Sequence, residues 1–267
     1  MSNAKSPVRP LALITGASSG IGVDLAREFA RDGYDLVLAA RRVEPMQKLA
    51  DELKSLGAAA AVIAADLSKP GAAASLAADL AARGLVIDVL VNNAGLGDNE
   101  TFHQEDQKRI AEMLQVNIVA LTELTRLLLP GMVERRRGGV MLLSSTAAFQ
   151  PGPQMAVYCA TKAYVLSLGE AIRYELRGTG VTVSVLCPGA TTTEFSKVAN
   201  TDNMALFKSA MVQRMTSAEV ARQGYAAFKA GRAVQVTGWF NKVGAFSNRI
   251  APRSTVVALT ASLLKRG

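Results

Sequence analysis

L-A-L-I-T-G-A-S-S-G-I-G, residues 11–22, runs directly into V-D-L-A-R-E-F-A-R-D-G, which ends at residue 33. The first five residues form a short apolar run, which predicts a strand buried on both faces. The last eleven repeat apolar residues at helical spacing. Three glycines, at 16, 20 and 22, lie between the two patterns. Gly16 permits a tight turn, Gly20 lets backbone approach a phosphate, and Gly22 allows the helix to pack closely on the strand. A helix starting here presents free N–H groups and a partial positive charge. Placed between a first strand and a first helix, the loop predicts a cradle for a dinucleotide pyrophosphate, with Ser18, Ser19 and Ile21 completing it.

The same alternation continues along the chain. Strand-length apolar runs occur at 11–15, 35–40, 60–65, 89–93, 140–145, 181–187 and 233–237. Helix-length segments fall between them at 20–32, 43–56, 70–83, 103–131, 155–178 and 216–230, and Gly33, Gly57 and Gly84 stand where helix C-caps belong. Repeated strand–helix alternation predicts an α/β fold, a doubly wound parallel sheet of about seven strands with helices on both faces. No linker or repeat divides it, so residues 11–238 read as one Rossmann-like domain. Residues 1–10 read as a disordered leader in which Ser2-Asn3-Ala4 resembles a cloning remnant.

Composition narrows the class. Hydrophobic residues are 49% of the chain but aromatics only 5%, so the core must be built from Ala, Leu and Val. No stretch offers the roughly 18 uninterrupted apolar residues of a membrane span, and residues 1–10 lack a signal-peptide core. Cys159 and Cys187 read as reduced thiols of a cytoplasmic protein. A Cys–His pair would need His103, the only histidine, which lies in a polar stretch that reads as a helix start. No metal site is expected. The net charge of +8 arises wholly after residue 219, where eight Lys or Arg are met by no Asp or Glu.

In such sheets ligands bind beyond the carboxyl ends of the strands. Asp35 has the separation expected of a ribose-binding acid, but it opens the second strand and so lies at the wrong edge. The strand's far end reads A-A-R-R, residues 39–42. Arg41 and Arg42 suit a 2′-phosphate, which a carboxylate there would repel, so NADP(H) is expected over NAD(H).

T-G-x-x-x-G-x-G at 15–22, N-N-A-G at 92–95, a serine thirteen residues before Tyr158, Y-x-x-x-K at 158–162 and P-G-x-x-x-T at 188–193 together resemble the short-chain dehydrogenase/reductase family. The likeness spans residues 15–193; beyond Thr193 it is one of general architecture. It implies that Tyr158 is the general acid/base and that Lys162 lowers its pKa and binds the nicotinamide ribose. Ser145 would hold the substrate oxygen, and Asn117 would position a water in a proton relay with Lys162. Asp66, followed by Leu67, would contact the adenine. Asn93, Ala94 and Gly95 would line the adenosine side, and Pro188, Gly189, Thr191 and Thr193 the carboxamide and diphosphate. Transfer of the pro-S hydride and a homodimer or homotetramer are also implied.

The chemistry has a physical basis of its own. A phenol ionises near pH 10, too high for a base at neutral pH, unless a nearby ammonium favours the phenolate. Tyr158 and Lys162 stand four residues apart, which places them on one helix face. Ser145 has the family's spacing to the tyrosine, and Ser144 is expected to turn inward. Cys159 reads as helix packing and Cys187 as core.

The apolar residues Met204, Leu206, Phe207 and Met211 are candidates for a lid over 194–215, which would suggest an apolar ketone, aldehyde or acyl-type substrate; core packing accounts for them equally well. Residues 239–267 form a basic amphipathic extension in which Trp239, Phe240, Val243, Phe246 and Ile250 recur at near-helical spacing. Three placements fit it: against the domain or a sister subunit, over the pocket, or on a membrane surface. No nucleic-acid-binding module accompanies its charge. The resulting expectation is a carbonyl reductase or alcohol dehydrogenase. Its rivals are a non-catalytic NADP sensor or scaffold on the same fold, and a membrane-surface lipid reductase.

Overall fold

The computed structural model describes residues 9–201 and 214–265. Strands β1 (Leu11–Thr15), β2 (Asp35–Ala40), β3 (Ala60–Ala64), β4 (Val89–Asn92), β5 (Gly138–Leu143) and β6 (Val181–Cys187) are parallel partners in one sheet. β7 (Thr191–Thr192) and β8 (Met215–Thr216) form a separate two-stranded ladder. β9 (Val234–Val236) closes the large sheet, whose seven strands run in the order β3-β2-β1-β4-β5-β6-β9. The order reverses between β1 and β4, which opens a crevice at the strands' carboxyl ends. The expected fold is the observed one.

Side-chain alternation on each strand divides the core in two. Leu13, Leu90, Val140 and Val183 face one side, where they meet Leu76, Leu80, Met113 and Val165. Ala12, Ile14, Leu38 and Met141 face the other, against Leu25, Phe29, Met46 and Phe228. Phe29, in helix α1 (Gly20–Arg31), meets Tyr225 edge to face at 4.7 Å between ring centroids. That contact fixes α1 against the helix Ser217–Lys229, which begins with a reciprocal capping box between Thr216 and Glu219.

Several local expectations shift. The fifth strand begins at Gly138 rather than at residue 140 and stops at Leu143, which leaves Ser144 and Ser145 beyond its end. The long helix expected over 103–131 starts at Gln107, capped by Asp106, so His103 lies ahead of it. It runs to Glu134 through a π-helical turn at Gln115–Ala120 that holds Asn117. By length and composition this helix alone, among the described residues, could cross a membrane; here it flanks the sheet. Of the leader, Arg9 and Pro10 are described, and Arg9 is tied to the domain. Arg9 donates to the carbonyls of Gly57, Ala30 and Tyr34 and pairs with Asp35 at 3.2 Å.

The helix Ala156–Glu175 carries the Y-x-x-x-K pair and buries Tyr158, Lys162, Val165 and Gly169 along one stripe. Gly169 sets how near that stripe sits to β5 and β6, because a Cβ there would meet Val185 and lie 3.0 Å from Leu142 Cδ1. Gly169→Ala should therefore cost about 1–3 kcal/mol of stability by overpacking, despite alanine's better helix propensity. Urea denaturation measures it, and an unchanged or raised midpoint would contradict this packing.

Candidate active site

A cleft of about 510 Å³ opens at the carboxyl edge of the sheet. All the residues proposed from sequence for the site line it except Gly22 and Asn117, which stand directly behind its wall. The cleft has two chemically distinct ends.

At the first end, Gly16 and Gly20 take left-handed φ values of +68° and +57°, which glycine adopts without strain. A Cβ on Gly16 would come within 2.9 Å of Ala94 Cα, and one on Gly22 within 2.6 Å of the Gly16 carbonyl. Ser19, the N-cap of α1, forms no side-chain cap, and the first turn holds no acid. Its backbone N–H groups thus face the cleft at the positive end of the helix, as a pyrophosphate requires. The Asn93 side chain donates to the carbonyls of Thr15 and Gly16 at 2.8 and 3.2 Å. The Thr15 hydroxyl in turn accepts the N–H groups of Asn93 and Ala94, both at 3.0 Å.

Arg41 and Arg42 stand exposed at the end of β2, where Ala39 and Ala40 are buried. Arg42 reaches over the glycine loop to Ser18 and pairs with Glu194 at 2.7 Å. Asp35, at the opposite edge, is occupied by Arg9 and the N–H of Ala59. Asp66 accepts from the backbone and hydroxyl of Ser68, at 3.2 and 2.7 Å. Thr193 packs on the loop, its Cγ2 3.1 Å from where a Gly20 Cβ would lie. These features fit an NADP-type dinucleotide: a backbone cradle for the diphosphate, and cations with no strand-end carboxylate for a 2′-phosphate.

At the second end, the helix Ala156–Glu175 brings Tyr158 and Lys162 to the cleft beside Ser145. Ser145 accepts the N–H of Ala147 at 3.1 Å and donates to the Pro188 carbonyl at 3.4 Å, with both Ser145 and Tyr158 lining the cleft. Ser144 turns inward as expected and donates to the Lys162 carbonyl at 2.7 Å. The Lys162 ammonium donates to the Leu143 carbonyl at 3.0 Å and sits 5.7 Å from the Tyr158 ring centre. Burial drives both ionisations away from charge. It raises the Tyr158 phenol well above its usual range, opposed by the nearby Ser145 hydroxyl, and pushes Lys162 down to about 8. Lys162 is thus not seen to lower the tyrosine by itself; desolvation is the larger effect among the protein's own groups.

Asn117 is fully buried and exchanges two 2.8 Å hydrogen bonds with the backbone of Leu96, with a third, at 3.0 Å, to Thr161. Its side chain braces the strand-to-loop turn beside Gly95. Burial pushes the Cys159 and Cys187 thiols up to about 12, which suits packing rather than nucleophilic roles.

Sequence reasoning missed several participants. The Thr15 hydroxyl belongs to a recognised motif, yet its clasp on Asn93 and Ala94 needs two strands brought side by side. Phe195 leans on Tyr158 at 5.7 Å between centroids, and Leu264, from the C-terminal helix Arg253–Leu264, joins Met155 and Cys159 in the cleft wall. No local signal marks either residue.

A family model described as short chain dehydrogenase matches residues 10–204. The chain belongs to the short-chain dehydrogenase family. It is 39% identical over 190 residues to the NADP-dependent 3-hydroxy acid dehydrogenase YdfG of Salmonella typhi, covering 70% of this chain and 75% of that one. An uncharacterized oxidoreductase of Myxococcus xanthus is 34% identical over 71% of this chain and 75% of its own. Among solved structures, a short-chain dehydrogenase from Sphingobium yanoikuyae in complex with NADPH superposes with a TM-score of 0.80 at 32% identity, over 90% of this chain and 93% of that one. A structure describing 7beta-hydroxysteroid dehydrogenase stereoselectivity gives 0.84 at 25% identity, over 94% and 96%. This family member is accordingly an oxidoreductase.

The lowered Lys162 has a consequence for stability. Its folded pKa of about 8 lies below its ordinary 10.5, so its charge penalises the folded state at low pH and the penalty lifts as pH rises through 8. Between pH 7 and 8.5 the wild type should gain on the order of three-quarters of a kcal/mol that Lys162→Met does not gain. Above pH 9 the buried thiols act in the opposite sense. Chemical denaturation across that range measures the difference, and parallel profiles would rule the assignment out.

Proposed function

We propose that this dehydrogenase interconverts a carbonyl and an alcohol with NADP(H), working as a reductase on an apolar ketone, aldehyde or acyl-type substrate. The observation that carries the reading is the meeting of Ser145, Tyr158 and Lys162 at one end of a cleft whose other end suits a phosphorylated dinucleotide. The NADP dependence of the Salmonella relative and the NADPH of the Sphingobium structure support the cofactor. Leu96, Val116, Met155, Phe195 and Leu264 in the wall support an apolar substrate.

When bound, the nicotinamide supplies or accepts the hydride. The protein does the rest. Ser145 donates to the substrate oxygen and fixes it beside the Tyr158 hydroxyl, which gives its proton as the oxygen gains charge. Lys162, with its Nζ 5.7 Å from the Tyr158 ring centre, would stabilise the resulting phenolate, and its hydrogen-bond partner among the described residues is the neutral Leu143 carbonyl rather than a carboxylate. Phe195 covers the tyrosine and excludes water. The lid proposed over 194–215 includes Met204, Leu206, Phe207 and Met211, which lie outside the described residues. The two buried, unpaired cysteines support a cytoplasmic setting. Tyr158→Phe should lower NADPH-dependent reduction of an apolar ketone panel by about a thousandfold or more while NADPH still binds. A chain that serves only as a sensor would bind NADPH equally well and show no Tyr158-dependent turnover.

The C-terminal segment supports association. Trp239 and Phe240 are 72% and 69% exposed, Ile250 72%, and Val243 and Phe246 lie on the same outward face. The helix Trp239–Ser247 instead seats itself through Ala245 and Asn241, the latter packed on Gly189. Core packing therefore does not account for these residues, and we assign them to contact with a second copy of the chain. Replacing Trp239, Phe240 and Phe246 with serine should reduce the assembly size in light scattering without unfolding the domain. Co-sedimentation of the wild type with anionic liposomes, lost in that variant, would favour a membrane instead.

A further inference from the structure

The ion pair between Arg42 and Glu194 spans the mouth of the cleft. Arg42 follows the end of β2, and Glu194 follows Thr193 on the loop that packs against Gly20. The guanidinium lies across Ser18 on its way to the carboxylate, so its contacts join all three borders of the adenosine end: strand end, glycine loop and the segment after β7. Both partners are more than half exposed, at 51% and 58%. Such a pair contributes little to stability. Its position matters more than its strength.

The cation that fits a 2′-phosphate is therefore already neutralised. Arg41 is the second candidate cation, and its charge acts on Asp66, which burial would raise but Ser68 and Arg41 together hold below its usual value. Arg42 thus faces Glu194 directly, while Asp66 lies in the field of both Arg41 and Lys69. A 2′-phosphate arriving there must take Arg42 from Glu194 and then lie near a displaced carboxylate. A dinucleotide without that phosphate faces neither cost.

We infer that Glu194 is a specificity-determining residue: by holding Arg42 where a cofactor 2′-phosphate would sit, its carboxylate selectively weakens binding of the phosphorylated dinucleotide. The inference rests on the proposed pairing of Arg42 with NADP(H). It explains why an acid stands against the arginine: the opposing charge moderates the hold on the cofactor and favours its release after turnover. Glu194 also adjoins Phe195, whose ring leans on Tyr158 and whose Cζ would lie 2.7 Å from a Cβ on Gly97. The exchange of partners at Arg42 thus occurs one residue from the group that covers the catalytic hydroxyl.

The test is fluorescence titration of NADPH and NADH on the wild type, Glu194→Gln, Arg42→Ala and the double variant. Glutamine keeps the shape and a hydrogen bond while removing the charge. Glu194→Gln should tighten NADPH by about three- to fivefold and leave NADH within about twofold, the gain shrinking with added salt. Arg42→Ala should weaken NADPH far more than NADH, and Glu194→Gln should gain less on that background. If Arg42→Ala remains selective but Glu194→Gln leaves NADPH binding unchanged or weaker, the role of Glu194 is overturned and the 2′-phosphate assignment stands. If Arg42→Ala weakens both dinucleotides equally, the assignment fails and the inference fails with it.

Discussion

The clasp between β1 and the chain leaving β4 is the constraint on which the site depends. Neighbouring strands of a doubly wound sheet diverge at the switch in order, and something must fix how far they part. Here the Asn93 amide holds the carbonyls of Thr15 and Gly16, and the Thr15 hydroxyl holds the N–H groups of Asn93 and Ala94. Each polar group is matched, so the opening has a defined width despite its burial. Gly16 and Gly22 have no side chain because the same amide already fills the space. The glycine loop is therefore shaped as much by the strand beside it as by any ligand it receives.

The reactive end obeys a second balance. Burial alone pushes a phenol and an ammonium toward neutrality, and both Tyr158 and Lys162 are pushed that way. A neutral tyrosine is the form that can donate a proton to a substrate oxygen, which suits the reductive direction. Taking a proton back requires positive charge close by. Lys162 is placed for that task, with the Leu143 carbonyl as the one hydrogen-bond acceptor its ammonium reaches among the described residues.

How much was legible from sequence follows the range of each interaction. The sheet, its helices, the glycine loop and the Tyr158–Lys162 stripe rest on periodicity and short spacings, and they appear where expected. The end of β2 was legible because what mattered there was the absence of an acid over four consecutive residues. Asn117 could be named from its motif, but not its π-helical turn or its bonds to Leu96, because a widened turn leaves no periodic trace. Arg42 was named without its partner, since Glu194 lies 152 residues away. The tail was legible as amphipathic but not in its orientation. Which face of such a helix turns inward depends on small contacts, such as Ala245 and Asn241 on Gly189, that hydrophobicity does not report.

Leu264 and the Asn99 side chain, which donates to the Leu264 carbonyl at 3.4 Å, meet across 165 residues of chain. A contact of that span forms late, because most of the polypeptide must be ordered before its two ends can approach. The dinucleotide end of the cleft draws on β1 to β4 and the loops between them, with Thr193 and Glu194 after β7 closing its border. The substrate wall waits for the final helix. The substrate half of the site is thus the part tied to the far end of the sequence, since Leu264 in its wall is carried by the C-terminal helix.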